Sequence, residues 1–167
     1  MKEIMNSEQL SRTLKRMTHE IIERNQNLEN IVLVGILKKG FPIAQILKDN
    51  LKRFADIEVP VYPLDIQPYR DDIEKDVSNA DNRVFIHEKN VILVDDVLYT
   101  GRSVRAAMDA LSDHGRPTQI QLAILIDRGH RELPIRADYI GKNVPTSKHE
   151  KIRVNLEDLT VSLVEID

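Results

Sequence analysis

The chain has 167 residues, of which 41% are hydrophobic and 31% are charged, a composition typical of a folded protein and not of a disordered one. It contains no cysteine, which excludes disulfides and thiolate metal sites, and its five histidines lack the spacing of zinc ligands. The net charge of −3 and the lack of a long apolar segment predict one soluble, cytoplasmic domain over residues 1–167, with no membrane partner and no uniformly basic surface.

The first half of the chain contains alternating helix and strand patterns. Apolar residues at helical spacing predict a first helix whose buried face comprises Leu10, Leu14, Met17 and Ile21. The continuous apolar run at 31–35 predicts a buried strand, and residues 41–54 predict a helix with Pro42 in its first turn. Prolines interrupt the next predicted strand, 59–66, and therefore favour the edge of a sheet.

The second half repeats the order of strand and helix. The predicted elements are a strand at 91–96, a helix at 103–115 and a strand at 121–127, followed by a loop at 127–143. Gly115 is expected as the C′ residue of the helix, and the polar segment 69–90, the longest irregular connection, predicts a lid. The alternation predicts an α/β fold with a central, mainly parallel sheet flanked by helices, whose ligands bind beyond the carboxyl ends of the strands.

Two adjacent carboxylates, Asp95 and Asp96, follow the apolar run at 91–94. Because adjacent like charges repel and a buried carboxylate needs a partner, the pair is expected at an exposed strand end, facing hydroxyls, cations or a metal. A short polar turn, Thr100 to Ser103, then opens the next helix, so its backbone N–H groups and hydroxyls suit a phosphate monoester. An ordinary helix cap is the alternative interpretation of this turn.

A second segment, GILKKG at 35–40, places two lysines between two glycines, which suits close approach of the backbone to a further phosphate-rich group. The sequence contains neither GxGxxG nor GxxxxGK[ST], which disfavours dinucleotide-dependent oxidoreductases and P-loop NTPases. Two acids a few residues before a phosphate-binding turn suit a different ligand, a ribose 5-phosphate whose hydroxyls meet the acids.

Residues 91–103, VILVDDVLYTGRS, resemble the phosphoribosyl diphosphate (PRPP) motif of the type I phosphoribosyltransferases, in which apolar residues, two acids and a T-G-x-[ST] turn follow one another. Longer stretches resemble the PyrR family, whose members are pyrimidine-operon RNA-binding attenuation proteins and uracil phosphoribosyltransferases: HEIIERN, VILVDDVLYTGRSVRAAMDAL and GRPTQIQLAILIDRGHRELPIRADYIGKNVPTSK. The resemblance spans nearly the whole chain and implies the type I phosphoribosyltransferase fold.

The resemblance also implies a role for each strand end. The implied residues are Asp95 and Asp96 on the ribose hydroxyls, Arg70 as a further catalytic residue, Thr100, Gly101, Arg102 and Ser103 on the 5-phosphate of PRPP or UMP, Lys38, Lys39 and Gly40 on the diphosphate, and Asp127 and Arg128 on the base. Mg²⁺ would be carried by PRPP, with no protein ligand assigned to it. Uracil N1 would displace diphosphate from C1 of PRPP, while the protein positions both partners and neutralises the leaving group.

Three features of the sequence bear on which base the chain uses and on its catalytic efficiency. In 6-oxopurine transferases an acid commonly precedes the T-G turn and serves purine N7, and Tyr99 stands there in this chain, which disfavours a purine substrate. Where PyrR relatives read GIKTRG, this chain reads GILKKG and keeps the basic charge. The connection 73–90 is several residues shorter than in those relatives, which predicts that ligand binding is better preserved than catalytic efficiency.

The PyrR resemblance further implies binding to the 5′ leader of pyr-operon mRNA, promoted by UMP or UTP, so that transcription ends early. The basic residues expected to contact RNA are Arg12, Lys15, Arg16, His19, Arg131, Arg136, Lys142 and Lys148. The alternative interpretation of the stripe on the first helix is a solvated face. A homodimer or higher homo-oligomer is expected, because an RNA site formed across a symmetric dimer requires one.

Three functional hypotheses fit these patterns. The first is a regulator of pyrimidine biosynthesis that binds pyr-operon mRNA and also converts uracil and PRPP to UMP and diphosphate. The second is a phosphoribosyltransferase without an RNA role, and the third is an RNA-binding regulator with little catalytic turnover. Uracil-dependent release of diphosphate distinguishes the third hypothesis from the others, and binding of leader RNA distinguishes the second.

Overall fold

The computed structural model describes residues 1–70 and 83–166. The helices and strands in these ranges are, in chain order, β1 (Lys2–Met5), α1 (Ser7–Arg24), β2 (Ile31–Ile36), α2 (Gly40–Ala55), β3 (Val61–Leu64), β4 (Asn90–Leu98), α3 (Arg102–Ser112), β5 (Gln119–Asp127), β6 (Tyr139–Asn143), β7 (Glu150–Asn155) and β8 (Thr160–Glu165). Short 3₁₀ turns precede β2 and follow β3. Strands and helices alternate through the middle of the chain, as the sequence predicts.

A five-stranded sheet in the order β3-β2-β4-β5-β6 forms the centre of the fold, and each neighbouring pair is parallel. Alternate residues of β4 enter two separate cores, with Ile92 and Val94 packed in the cluster that contains α1 and α2, and Val91 and Leu93 in the cluster that contains α3. A strand buried on both faces explains the unbroken apolar run of the sequence. The strand with the prolines, β3, lies at the edge, which confirms that prediction.

The first helix follows its sequence pattern closely. Asn6 and Gln9 form a reciprocal capping box, in which each side-chain oxygen accepts a hydrogen bond from the other residue's backbone N–H, at 2.8 and 2.9 Å. The predicted apolar face is fully buried and comprises Leu10, Leu14, Met17 and Ile21. The second helix begins at Gly40 with Pro42 in its first turn, so both helix predictions are confirmed.

Two details of the β4–α3 unit differ from the sequence predictions. The strand continues through both acids to Leu98, because Asp95 pairs with Ile124 of β5 and Leu98 pairs with Asp127. The strand therefore continues two residues past its predicted end at 96, and the acids lie within it. The helix ends at Ser112 with Asp113 as its C-cap, so the prediction of Gly115 as the C′ residue is wrong.

Four strands lie where the sequence patterns predict none. β1, β8 and β7 form a three-stranded antiparallel sheet, and β6 lies inside the stretch that was expected to be a loop. In β7 only Val154 is buried, so the strand lacks the apolar run that marks β2 and β4. The core contact of the small sheet is made by Met5, Val154 and Val161, which are buried in the cluster with α1 and α2.

The predicted lid segment 69–90 includes residues 71–82, which lie outside the described residues. Its carboxyl flank is part of the folded domain, because Val84 and Ile86 are buried in the core on the α3 side. The lid prediction therefore stays open for 71–82 and does not extend to Val84 and Ile86. Among the helices that the structure describes, none combines the length and apolar character needed to cross a bilayer.

Candidate functional site

Asp95 and Asp96 occupy consecutive positions near the carboxyl end of β4. Asp95 is buried, with 9% of its surface exposed, and Asp96 is half-buried. Burial, followed by the charge and side-chain hydrogen bond of Asp96, raises the pKa of Asp95 well above its ordinary value, and the charge of Arg70 only partly opposes this shift. The expectation that the pair lies exposed is therefore wrong for Asp95, because the pairing of β4 with β5 extends past it.

The raised pKa of Asp95 predicts how Asp95→Asn changes stability. An acid with a higher pKa in the folded than in the unfolded state contributes stability below the unfolded-state pKa, and this contribution is lost as the pH rises through the folded-state pKa. We therefore expect Asp95→Asn to have a larger free energy of unfolding than the parent at neutral pH, and the difference should shrink as the pH falls toward 3.8.

Urea unfolding of both proteins across this pH range, in buffer without Mg²⁺ and PRPP, measures the difference. Asp109→Asn is the control, because Asp109 lies on the exposed face of α3 and its replacement relieves no burial. An Asp95→Asn protein that is less stable than the parent at neutral pH would contradict the prediction.

The turn from Thr100 to Ser103, which we call the phosphate turn, connects β4 to α3. Gly101 precedes the helix with a φ of 96°, a left-handed value that residues with a Cβ rarely adopt. Gly101 has no side chain to cap α3, and the Arg102 N–H donates to Thr100 Oγ1 at 3.2 Å, so the N–H groups after Arg102 are the backbone donors left for an anion at the helix N-terminus. The turn lines a cavity of about 350 Å³, and every residue predicted to bind the 5-phosphate is among the lining residues.

Arg70 reaches the same cavity from a distant part of the chain. Its Nη1 donates a hydrogen bond to Ser103 Oγ at 2.9 Å, and its charge also acts on Asp95. The preceding residue, Tyr69, donates its phenol hydrogen to Asp113, and this bond is the main reason that the pKa of Tyr69 is raised to about 12. Residues 69 and 70 therefore contact both ends of α3, and Arg70 connects the phosphate turn with the acid pair.

Glu132 is a cavity residue that the sequence patterns do not predict. Its carboxylate pairs with Arg102 Nε at 2.9 Å, and its backbone N–H donates to the carbonyl of Thr100 at 2.9 Å. A phosphate in the cavity would compete with Glu132 for Arg102. The signal that the sequence offers is an isolated acid within the basic stretch RGHREL, which on its own does not indicate a partner.

The GILKKG segment joins β2 to α2, and packing requires its two glycines. A Cβ on Gly35 would lie 2.4 Å from Phe41 Cα, and a Cβ on Gly40 would lie 2.3 Å from the carbonyl oxygen of Val94. The first turn of α2 therefore packs directly on β4, one residue before Asp95. This contact brings the predicted diphosphate loop next to the acid pair.

The two lysines of this segment differ in their surroundings. Both lysines are exposed, but within the described part of the chain a hydrogen bond is observed only for Lys39, from its Nζ to the carbonyl of Val154 in β7 at 2.6 Å. Both line a cavity of about 510 Å³ against residues 153–157. The ammonium group of Lys39 thus binds the small sheet in this structure, whereas the sequence predicts that it binds diphosphate.

The loop after β5 begins with Asp127 and Arg128, which line a further cavity of about 320 Å³. Arg128 is 7% exposed, and its Cζ lies 3.9 Å from the centroid of the Tyr99 ring. Its Nε donates to Thr146 Oγ1 at 2.9 Å, and its Nη2 donates to the carbonyls of Ser147 and Glu150. Arg128 thus contacts Tyr99 and the 146–150 segment, and its predicted contact with the base stays a prediction.

Asp127 is held by the start of the same loop. Its Oδ2 accepts a hydrogen bond from Arg131 Nη2 at 2.7 Å, and its Oδ1 accepts one from the N–H of Gly129 at 3.1 Å. Arg131 Nη1 also donates to the carbonyl of Tyr99 at 3.0 Å. Arg131 therefore joins the loop after β5 to Tyr99, and because it is exposed its predicted contact with RNA stays a prediction.

Three of the residues predicted to bind RNA share one concave surface. Arg12, Arg16 and Lys142 line a cavity of about 360 Å³ between α1, β1 and the end of β6. Arg12 and Lys142 are exposed, whereas Arg16 contacts the Glu20 carboxylate at 3.1 Å and donates to the carbonyl of Gly141 at 2.6 Å. We call this cavity the basic cavity.

The remaining residues of the RNA prediction lie outside the basic cavity. His19 is exposed and packs on Phe54 of α2, with ring centroids 4.7 Å apart. Lys15 is half-buried, while Arg136 and Lys148 are exposed. The structure thus brings part of the predicted basic set together in one cavity and leaves the rest outside it.

The parallel sheet, the acid pair on β4 and the phosphate turn at the start of α3 define a phosphoribosyltransferase. The family described as Phosphoribosyl transferase domain matches residues 1–158. Bifunctional protein pyrR of Enterococcus faecalis is 56% identical over 161 residues, which cover 94% of this chain and 90% of that protein. Bifunctional protein PyrR of Pasteurella multocida is 53% identical over 159 residues, which cover 90% of this chain and 88% of that protein. The chain belongs to the PyrR family of phosphoribosyltransferases.

Solved structures show the same fold at low sequence identity. A hypoxanthine-guanine phosphoribosyltransferase of Bacillus anthracis has a TM-score of 0.74 and 23% identity, with 98% of each chain covered. The hypoxanthine phosphoribosyltransferase of Trypanosoma cruzi has a TM-score of 0.76 and 18% identity, with 100% of this chain and 98% of that chain covered. These similarities confirm the predicted type I phosphoribosyltransferase fold, but they do not indicate which base this chain uses.

Proposed function

We propose that this chain is a bifunctional regulator of pyrimidine biosynthesis. It converts uracil and PRPP to UMP and diphosphate, and it binds pyr-operon mRNA in the presence of UMP or UTP so that transcription terminates early. The observation that carries the enzymatic half is the convergence of the phosphate turn, Arg70 and the acid pair at the carboxyl end of β4. The regulatory half is supported by relatives that are named bifunctional and match 94% of the chain, and by the basic cavity.

In the transfer reaction, the 5-phosphate of PRPP binds at Thr100 to Ser103, where backbone donors and Arg70 neutralise its charge. Asp95 and Asp96 accept hydrogen bonds from the ribose hydroxyls, and their negative charge favours the positive charge that develops on the ribose as diphosphate leaves. Uracil N1 forms a bond to C1 while the bond from C1 to the diphosphate oxygen breaks, and the proton of N1 is released. Holding both partners in line is the main task of the protein.

The acid pair fits a hard divalent cation such as Mg²⁺, because carboxylate oxygens are its usual protein ligands. Within residues 1–70 and 83–166, no three or more His, Asp or Glu side chains are grouped to hold a metal by themselves. This donor set suits a cation whose other ligands come from PRPP. Bound in this way, Mg²⁺ would neutralise the diphosphate leaving group.

We expect uracil, and not hypoxanthine or guanine, to be the base that this chain uses. Tyr99 stands in place of the acid that serves purine N7, and its ring is held between Arg128 at 3.9 Å and His130 at 5.5 Å. Diphosphate release from PRPP and Mg²⁺ with each base measures the preference, and kcat/KM for uracil should exceed that for either purine by about a hundred-fold or more. Comparable turnover of a purine would contradict the proposed substrate.

In the regulatory role, the basic cavity binds RNA phosphates and the surrounding surface recognises a folded RNA loop. Arg12, Arg16 and Lys142 are the cations that support this assignment, because they line one cavity although they come from α1 and β6. Action on mRNA during its synthesis implies the cytoplasm. A homodimer or higher homo-oligomer would place two copies of the basic cavity on one assembly.

A further inference from the structure

An exposed aromatic stack lies at the carboxyl end of α2, outside the transfer site and outside the basic cavity. Phe54 is 36% exposed, and its ring centroid lies 4.7 Å from that of His19 on α1, with the two planes inclined by 41°. The guanidinium of Arg53 lies against the same ring, with Cζ 5.3 Å from the centroid. Two residues of α2 and one of α1 thus form a compact group, which we call the Phe54 stack.

The core of the fold does not account for the Phe54 stack. Phe54 belongs to neither hydrophobic cluster, although it lies three residues after Leu51 and seven after Leu47 and so continues the same face of α2, whose buried part ends at Leu51. A single exposed apolar side chain is ordinary in a soluble protein and needs no function. What distinguishes Phe54 is that its neighbours are an imidazole and a guanidinium, the flat and cationic groups that stack on bases.

We propose that the Phe54 stack binds one unpaired base of the RNA whose phosphates contact the basic residues of α1, Arg12 and Arg16. This inference rests on the proposed RNA-binding function and adds a site to it. Phe54 packs on the imidazole of His19, so an incoming base stacks on a side chain that is already supported and loses little conformational freedom on binding. Arg53 supplies a guanidinium plane at the edge of the same site.

The position of the stack beside a cationic helix face favours RNA as its occupant. His19 lies three residues after Arg16 on α1, so both side chains project from neighbouring positions of one helix surface. Phosphate contacts fix a nucleic acid in register, and stacking on aromatic side chains then selects unpaired bases. A single-stranded loop offers both features at once, whereas a duplex keeps its bases stacked on one another.

The proposal predicts a loss of affinity that does not depend on salt. Phe54→Leu keeps an apolar side chain but removes the aromatic face, and we expect it to weaken binding of pyr-operon leader RNA by about ten-fold. The slope of log Kd against log salt concentration should stay unchanged, because no ion pair with phosphate is lost. Phe54→Tyr keeps the ring and should bind within about two-fold of the parent.

Phe85→Leu is the matched control, because Phe85 is also exposed, at 64%, and also has an aromatic neighbour, Tyr62, with centroids 6.1 Å apart. It should leave RNA binding and uracil transfer unchanged. Uracil transfer by each variant reports on folding. Photo-cross-linking of the parent to leader RNA that contains 5-iodouridine, followed by peptide mapping, should give a cross-link to residues 53–54 or His19.

Several results would overturn the inference while leaving the proposed function intact. One is parent-like RNA binding by Phe54→Leu, and another is equal weakening by Phe54→Leu and Phe54→Tyr, which would indicate packing and not stacking. A cross-link that maps to other segments would also overturn it. If the parent itself fails to bind leader RNA, the proposed regulatory function is wrong and the inference falls with it.

Discussion

Replacing both Asp95 and Asp96 with Asn is expected to lower kcat/KM for uracil transfer by at least about a hundred-fold. In the proposed site the two carboxylates accept hydrogen bonds from the ribose hydroxyls, so their loss should remove both the positioning of C1 and the negative charge that favours its transition state. The fold should persist, because the replacement removes a buried charge from beside a like charge. Diphosphate release and thermal unfolding of the same preparations measure the two effects.

The matched control for this double variant is Asp49→Asn with Asp109→Asn. Both control residues are exposed and lie on helices, so the net charge changes equally without touching β4. The control should retain uracil transfer at the level of the parent. Normal turnover by the Asp95→Asn, Asp96→Asn protein would contradict the assignment of the transfer site. A loss of activity that only follows a loss of folded protein would contradict it as well.

Reversing the charge of Arg12 and Lys142 is expected to weaken leader-RNA binding by about ten-fold or more at moderate salt. Each lost phosphate contact should also lower the salt slope by about one unit. Uracil transfer should persist, because the basic cavity shares no lining residue with the cavity at the phosphate turn. Arg12 and Lys142 are preferred to Arg16 for this test, since Arg16 also binds Glu20 and the carbonyl of Gly141 and its loss would disturb the packing of α1 on β6.

The control is Arg83→Glu with Arg116→Glu, which makes the same change in net charge at two exposed residues outside the basic cavity. This protein should bind leader RNA with the affinity and salt slope of the parent. If the Arg12→Glu, Lys142→Glu protein also binds as the parent does, the face of α1 is a solvated surface and the RNA site lies elsewhere.

The central strands of the parallel sheet were predictable because burial on both faces requires continuous apolar runs, which β2, β4 and β5 contain. The small antiparallel sheet was not predictable, because each of its strands buries only one residue and contributes little to the core. In β7, for example, Val154 alone is buried. Such strands are specified by their partners, Val154 opposite Val161 on β8, and a partner distant in sequence leaves no local pattern.

The candidate site shows the same division between local and distant information. The order of acids and turn on β4 and α3 is local, so the sequence predicts which residues surround the ribose phosphate. The burial of Asp95 depends on Ile124 across the sheet, and the capture of Arg128 depends on Thr146 and the Tyr99 ring. Sequence patterns therefore predict the charged residues of the site but not which of them are already bound by other protein groups.

The coupling between nucleotide and RNA tests the central claim most directly. Binding of the chain to pyr-operon leader RNA is measured by gel shift at one moderate salt concentration, with and without UMP. The proposed function predicts that UMP tightens binding by about five-fold or more, and linkage requires RNA to tighten UMP binding by the same factor. Absence of RNA binding, or RNA binding that UMP does not change, would contradict it.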